Sequence, residues 1–192
     1  MSVQVTFTDD DKLYRKILRE VAKINKAEIT VGVHSDTGTY KPADGETADG
    51  KEPTIAYIAS CHEFGKGHNP ERSFLRFVEA TGAPMKMLQE KAAELCHGEL
   101  TARQACEQVG LFTVGKVKER IRNGPFKPLN PDYEKRKLKK GAHGSGLLSK
   151  TEKQTILVDT GQLIASITHK VTGAAGWGSA SASTKAAVGG AA

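Results

Sequence analysis

The longest run of helical spacing in this chain sets what the rest has to do. Thr101 is a good helix cap, and Ala102, Ala105, Val109, Phe112 or Thr113, Val117 and Ile121 follow at helical spacing until Asn123-Gly124-Pro125 stops the element. A helix with so long an apolar stripe needs a layer packed along it. Upstream, Leu13, Ile17, Leu18, Val21 and Ile24 form one face of a second helix, with Lys12, Arg15, Lys16, Arg19 and Glu20 largely on the other. Asp9, Asp10 and Asp11 suit the N-terminus of that helix, and Asn25 its end. A third helix carries Phe77, Val78, Met85, Leu88 and Leu95 to about Gly98, with Gly82 and Pro84 as breaks near its start. Strand signals are shorter: Val3, Val5 and Phe7; the β-branched alternation from Glu28 to Val33; and Ile167, His169 and Val171. Strands and helices in this order predict an α+β fold, a small antiparallel sheet near Val3, Val31 and Val171 packed against two or three long helices.

Between these elements lies the most informative stretch, 55–77. Ile55, Ile58, Ala59 and His62 fall at helical spacing, and Gly65 closes the turn as a helix C-terminus prefers. After the turn at Gly65-Lys66-Gly67, Pro70 opens a new element, and Phe74, Leu75 and Phe77 cluster between Arg72 and Arg76. Two elements are pinned at one corner, and the expectation is that Phe64 is buried in it, so that truncating this ring ranks among the most destabilising single changes.

Glu63-Phe64-Gly65, then Arg72-Ser73-Phe74-Leu75-Arg76, and much later Val158-Asp159-Thr160-Gly161-Gln162-Leu163 with Ser166-Ile167, resemble the neck, head-to-tail joining and tail-completion proteins of long-tailed bacteriophages. In that family a Glu-Phe-Gly corner, an Arg-Pro-Phe-type corner and a late Asp-Thr-Gly-x-Leu segment recur in this order. Here Ser73 stands where the family often carries proline. The resemblance implies a structural corner built by Glu63, Phe64, Gly65, Arg72, Phe74, Asp159, Thr160, Gly161 and Leu163. It also implies a virion protein without enzymatic activity or cofactor. Such a protein forms a sixfold or twelvefold ring at the head-tail junction, with the portal or connector and the tail-terminator or tail-tube proteins as partners, and is made in the host cytoplasm.

Composition narrows the classes. With 192 residues, 38% hydrophobic and 26% charged, the chain reads as one domain over 1–171. No run approaches the roughly 18 apolar residues of a membrane span, and the N-terminus lacks a basic region leading into an apolar signal core, so the expected compartment is cytosolic. Cys61, Cys96 and Cys106 are odd in number and far apart, which predicts free thiols. Residues 34–53 are rich in Asp, Thr, Gly, Lys and Pro and read as a long exposed loop, an irregular hairpin or an arm. Residues 172–192, mostly Gly, Ala, Ser and Thr, read as a mobile tail that an assembly would order.

Several chemistries are considered and set aside. Cys61, His62 and Glu63 are adjacent and point in different directions on a helix, so they cannot form a nucleophilic relay. Cys61, His62, His68, Cys96 and His97 lack the paired spacing of a zinc site. Neither 65–67 nor the glycine-rich run 141–146 has a phosphate-loop frame. Asp159-Thr160-Gly161 occurs once and precedes a helical pattern, which favours a helix cap over an aspartic-protease signature. The serious alternative is DNA binding: of the formal +6, the tract 116–140 holds ten basic and three acidic residues, a local +7. There Lys135, Arg136, Lys137, Lys139 and Lys140 fall on a short basic helix expected over 132–140 and could contact phosphates, although only Tyr133 is interleaved for stacking.

Overall fold

The computed structural model describes residues 11–41, 52–67, 69–132, 156–157 and 161–173. In chain order these form α1 (Asp11–Ile24), β1 (Glu28–Val33), a short 3-10 turn (Ser35–Thr37), α2 (Ile55–Phe64), α3 (Leu75–Ala80), α4 (Ala83–Cys96), α5 (Ala102–Asn123), α6 (Gln162–Ser166) and β2 (Ile167–Thr172). The fold is α+β: an antiparallel pair of strands lies across the long helix α5, with the other helices around it. The strand expected around Val3, the start of α1 at Asp9 and Asp10, the basic helix beyond Asp132 and the tail beyond Gly173 lie outside the described residues.

The axis of the molecule, α5, has the ends its sequence predicts. Thr101 Oγ1 accepts from Gln104 N, and the Gln104 side chain returns the bond to the Thr101 backbone, so two N–H groups that a helix start leaves open are satisfied reciprocally. A third, the N–H of Ala102, donates to Glu20 Oε2 of α1 at 2.8 Å. Hydrogen bonds from Lys23 and from that N–H hold the Glu20 carboxyl below its ordinary pKa. One carboxylate thus fixes where α1 meets the start of α5.

Pairing of Ile29 with Val171, Val31 with His169 and Val33 with Ile167 puts these six side chains on one face of the sheet. Of them Ile167, His169 and Val171 are buried. Contact with α5 is closest at Gly110, where any Cβ would collide with the imidazole of His169. That ring is buried and shares a hydrogen bond of 2.7 Å with Glu107 Oε2 on the same helix. The main core gathers Ile55, Ala59, Phe74, Val78, Val117, Ile121, Leu157, Leu163 and Ile167.

The helix expected from Phe77 to Gly98 is two helices. Thr81 Oγ1 donates to Val78 O and accepts from Ala83 N, and Gly82 takes a positive φ of 69° that a side-chain-bearing residue rarely adopts. Pro84 then falls in the first turn of α4, where its missing N–H costs nothing. Segment 34–53 is closed at its described ends. Thr39 bridges Thr54, Tyr40 N donates to Pro53 O at 2.8 Å, and Ile55 N donates to Gly38 O at 3.1 Å. Of the expectations for this segment, loop, irregular hairpin or arm, the described ends fit the hairpin; 42–51 lies outside the described residues.

Candidate functional site

Helix α2 starts at Thr54, whose hydroxyl accepts from Tyr57 N, and ends at Gly65 in the left-handed region at φ 66°. A Cβ at Gly65 would come within 2.8 Å of the backbone nitrogen of Glu71, so this turn requires glycine twice over. The chain doubles back, and Arg72 N donates to His62 O at 2.8 Å. Ile55, Ala59 and Glu63 follow one another at four-residue spacing on the inward stripe of α2 and are all buried. The residue that enters the corner is therefore Glu63, 2% exposed, and the expectation for Phe64 is overturned: one position further round the helix, its ring is 55% exposed. Phe64 instead lies under the Arg76 guanidinium, 4.9 Å from the ring centroid, with the Lys66 ammonium at 5.9 Å.

The Glu63 carboxylate caps the next helix. Oε2 accepts from Phe74 N at 2.8 Å and Leu75 N at 3.0 Å, and Oε1 from Arg76 N at 3.0 Å, Ser73 Oγ at 2.7 Å and Arg76 Nε at 3.2 Å. Phe74, at the N-cap position of α3, has no side-chain acceptor to offer, so a carboxylate from eleven residues upstream supplies what the local sequence lacks. The Ser73 hydroxyl is thus one of the donors that hold this carboxylate. Burial raises the carboxyl pKa, but the bonds from Leu75, Ser73, Arg76 and Phe74 outweigh it and hold the group below its ordinary value. Arg76 completes the node by donating to Glu63 O at 2.7 Å and Glu71 Oε1 at 2.9 Å.

The remaining corner residues serve packing. Arg72 is buried, and its Nε and a terminal nitrogen donate to the carbonyls of Lys127 and Pro128, both at 3.0 Å, which ties the segment after α5 to the corner. Phe74 and Leu163 share the main core. Residue Gly161 occupies the N-cap position of α6 with φ 76° and no side-chain cap, so the cap expected from Asp159 or Thr160 is replaced there by a glycine; Asp159 and Thr160 lie outside the described residues. Gln162 holds the far strap, accepting from Lys41 N at 2.9 Å and donating to Lys41 O at 2.6 Å.

Behind the corner is a concavity of about 340 Å³, walled by Arg72, Phe77, Arg120, Pro125, Phe126 and Lys127, with Glu71 at its rim. The Arg120 guanidinium carbon is 3.7 Å from the Phe77 ring centroid and 4.7 Å from that of Phe126. A second, apolar groove of about 430 Å³ runs between β1, α3 and α5, lined among others by Val31, Leu75, Val78, Met85 and Val117. Helix α1 has no buried residue; Leu13, Tyr14 and Leu18 are 53%, 62% and 48% exposed.

The basic tract divides. Lys135, Arg136, Lys137, Lys139 and Lys140, with Tyr133, lie outside the described residues. In the described part, Lys116 pairs with Glu119 at 3.0 Å, and burial followed by the nearby Arg122 lowers the Lys118 pKa. Cys61 and Cys106 are buried, Cys96 is exposed and all three are free. His68 lies outside the described residues, and among these no group of three or more His, Cys, Asp or Glu is placed to hold a metal ion. Ser73 and Arg76 as partners of Glu63, and Arg120 with its two rings, are the residues that reading the sequence missed. The stripe read from Ile55 and Ala59 in the sequence takes in Ile58 and His62, whereas the buried step lands on Glu63, and nothing local points to the Arg120 pocket. No family model, curated protein or solved structure matches the chain.

Proposed function

We propose that this chain is a structural protein of a long-tailed bacteriophage, a ring-forming neck or tail-completion component that joins head to tail during assembly. The observation that carries the reading is α1: an amphipathic helix at the edge of the fold that buries none of its residues and leaves Leu13, Tyr14 and Leu18 open to a neighbour. Its charged groups do not explain that face, because Arg15 pairs with Asp11 and Lys23 with Glu20 along the helix itself. Supporting it, residues of the three ordered motifs meet around one core: Glu63 caps the helix that follows Phe74, and Leu163 packs in the same cluster as Phe74. At this corner the charged groups of Glu63, Arg72 and Arg76 each hold backbone, which suits a scaffold.

Sedimentation velocity tests the reading, on the chain alone and mixed with the portal ring of the same phage. The expected result is a species heavier than a monomer in at least one of the two. A Leu13→Ser, Leu18→Ser double variant should shift that species toward monomer while melting within about 0.5 kcal/mol of wild type, as surface substitutions do. A chain that stays monomeric with and without portal, yet shifts duplex DNA in a salt-dependent way, would overturn the reading in favour of the basic tract.

A further inference from the structure

The concavity behind the corner holds a cation that the described fold leaves without a counter-charge. The Arg120 side chain has no hydrogen bond or carboxylate partner among the described residues, and its Nε is buried with no acceptor. What it touches are two rings, Phe77 and Phe126. Aromatic faces attract a guanidinium but do not replace the hydrogen bond that its Nε–H loses on leaving water. Burial accordingly lowers the pKa of this group. Other cations nearby are treated differently: Arg72 spends two nitrogens on backbone carbonyls, and Arg76 takes the rim carboxylate, Glu71. Lys127, also on the wall, has an exposed side chain and no ion pair among the described residues.

We propose that this pocket is a docking site for a carboxylate on a peptide segment of a partner protein, received by the Arg120 guanidinium and the Lys127 ammonium. The inference goes beyond the assembly reading and does not depend on it. A guanidinium offers N–H donors in a planar fork that matches a carboxylate, and Phe77, Pro125 and Phe126 supply apolar wall for the stem that carries it. The site is a single concavity with one carboxylate, Glu71, at its rim, whereas a nucleic-acid backbone calls for a track of cations that follows successive phosphates. An acidic peptide is therefore the favoured occupant.

The test is fluorescence anisotropy of the full chain with labelled hexaglutamate, hexaglutamine of the same length, and a short duplex DNA. Wild type should bind hexaglutamate and not hexaglutamine. Arg120→Met, which keeps the stem against the rings, should weaken hexaglutamate binding about tenfold or more, and Lys127→Glu should weaken it by a similar factor. Arg122→Met removes the same charge from an exposed position of α5 and should stay within about twofold of wild type. Should Arg120→Met fail to fold, Lys127→Glu, which alters only an exposed side chain, decides alone. Equal losses in Arg122→Met and the two pocket variants would mean general attraction to a basic protein and overturn the proposal. So would the absence of hexaglutamate binding, or an Arg120-dependent preference for the duplex.

Discussion

Glu63 and Arg120 are both charged side chains drawn in among aromatic and aliphatic neighbours, yet the chain provides for them in opposite ways. Around Glu63, two carboxylate oxygens receive five donors from residues 73–76, and the group is almost wholly removed from water. Around Arg120 there are two rings and, among the described residues, no acceptor. A buried charge that the fold satisfies in full is a component of the fold, and removing it leaves its partners stranded. A charge left with an unmet valence costs the fold something and contributes little to it, which is the signature of a group kept for contact with something else.

This contrast breaks most readily at Glu63. Glu63→Ala should destabilise the protein by about 3–5 kcal/mol, because it strands three backbone N–H groups and the Ser73 hydroxyl and Arg76 guanidinium in one buried place. Urea denaturation measures this, and a loss under about 1 kcal/mol would mean that the corner closes without its carboxylate. The next largest effect is on acid stability. The Glu63 carboxyl is held below its ordinary pKa in the folded state, so its contribution is complete above the unfolded value of about 4.3. That contribution fades as pH falls through the window between that value and the lower folded one. Wild type should therefore lose melting temperature more steeply between about pH 5 and pH 3 than Glu63→Gln does, and parallel curves would show that another group controls the acid limb.

The smallest effects belong to the two residues that look prominent but carry little of the fold. Phe64→Ala should cost only about 0.5–1 kcal/mol, the worth of an exposed ring under a cation, in place of the 3–5 kcal/mol expected of a buried phenylalanine. Arg120→Met should lie within about 1 kcal/mol of wild type in either direction, since it exchanges an unsatisfied cation for an apolar stem of similar reach. A loss at Arg120 as large as that at Glu63 would erase the distinction between them.

The sequence made the frame of this molecule legible wherever the signal was local. Strand β1 is the alternation from Glu28 to Val33, and α5 runs between the Thr101 cap and the Asn123-Gly124-Pro125 stop, because caps, stops and β-branched alternation act within a few residues. Gly65 likewise announces the end of α2. What stayed hidden depended on tertiary partners. The four-residue spacing from Ile55 and Ala59 lands on Glu63, but a glutamate in a last helical turn reads as solvent-facing until the donors at 73–76 are known, and Phe64 beside it is the more obvious hydrophobe. The Arg120 pocket needs Phe77 of α3 brought against α5, which no spacing within either helix encodes.

The closure of segment 34–53 at its base carries a consequence for how such a chain can change over time. With Thr39 bridged to Thr54, Tyr40 bonded to Pro53 and Lys41 held by the amide of Gln162, the residues that flank 42–51 are fixed beside each other. Lengthening a flexible connection between two such anchors adds only about 0.6 kcal/mol for each doubling of its length. The domain can therefore accept a longer or shorter connection between these two anchors, or a foreign sequence grafted in its place, with its core register untouched. Length variation is cheap there, while at the Gly65 turn, where even a Cβ meets the backbone of Glu71, it is closed off.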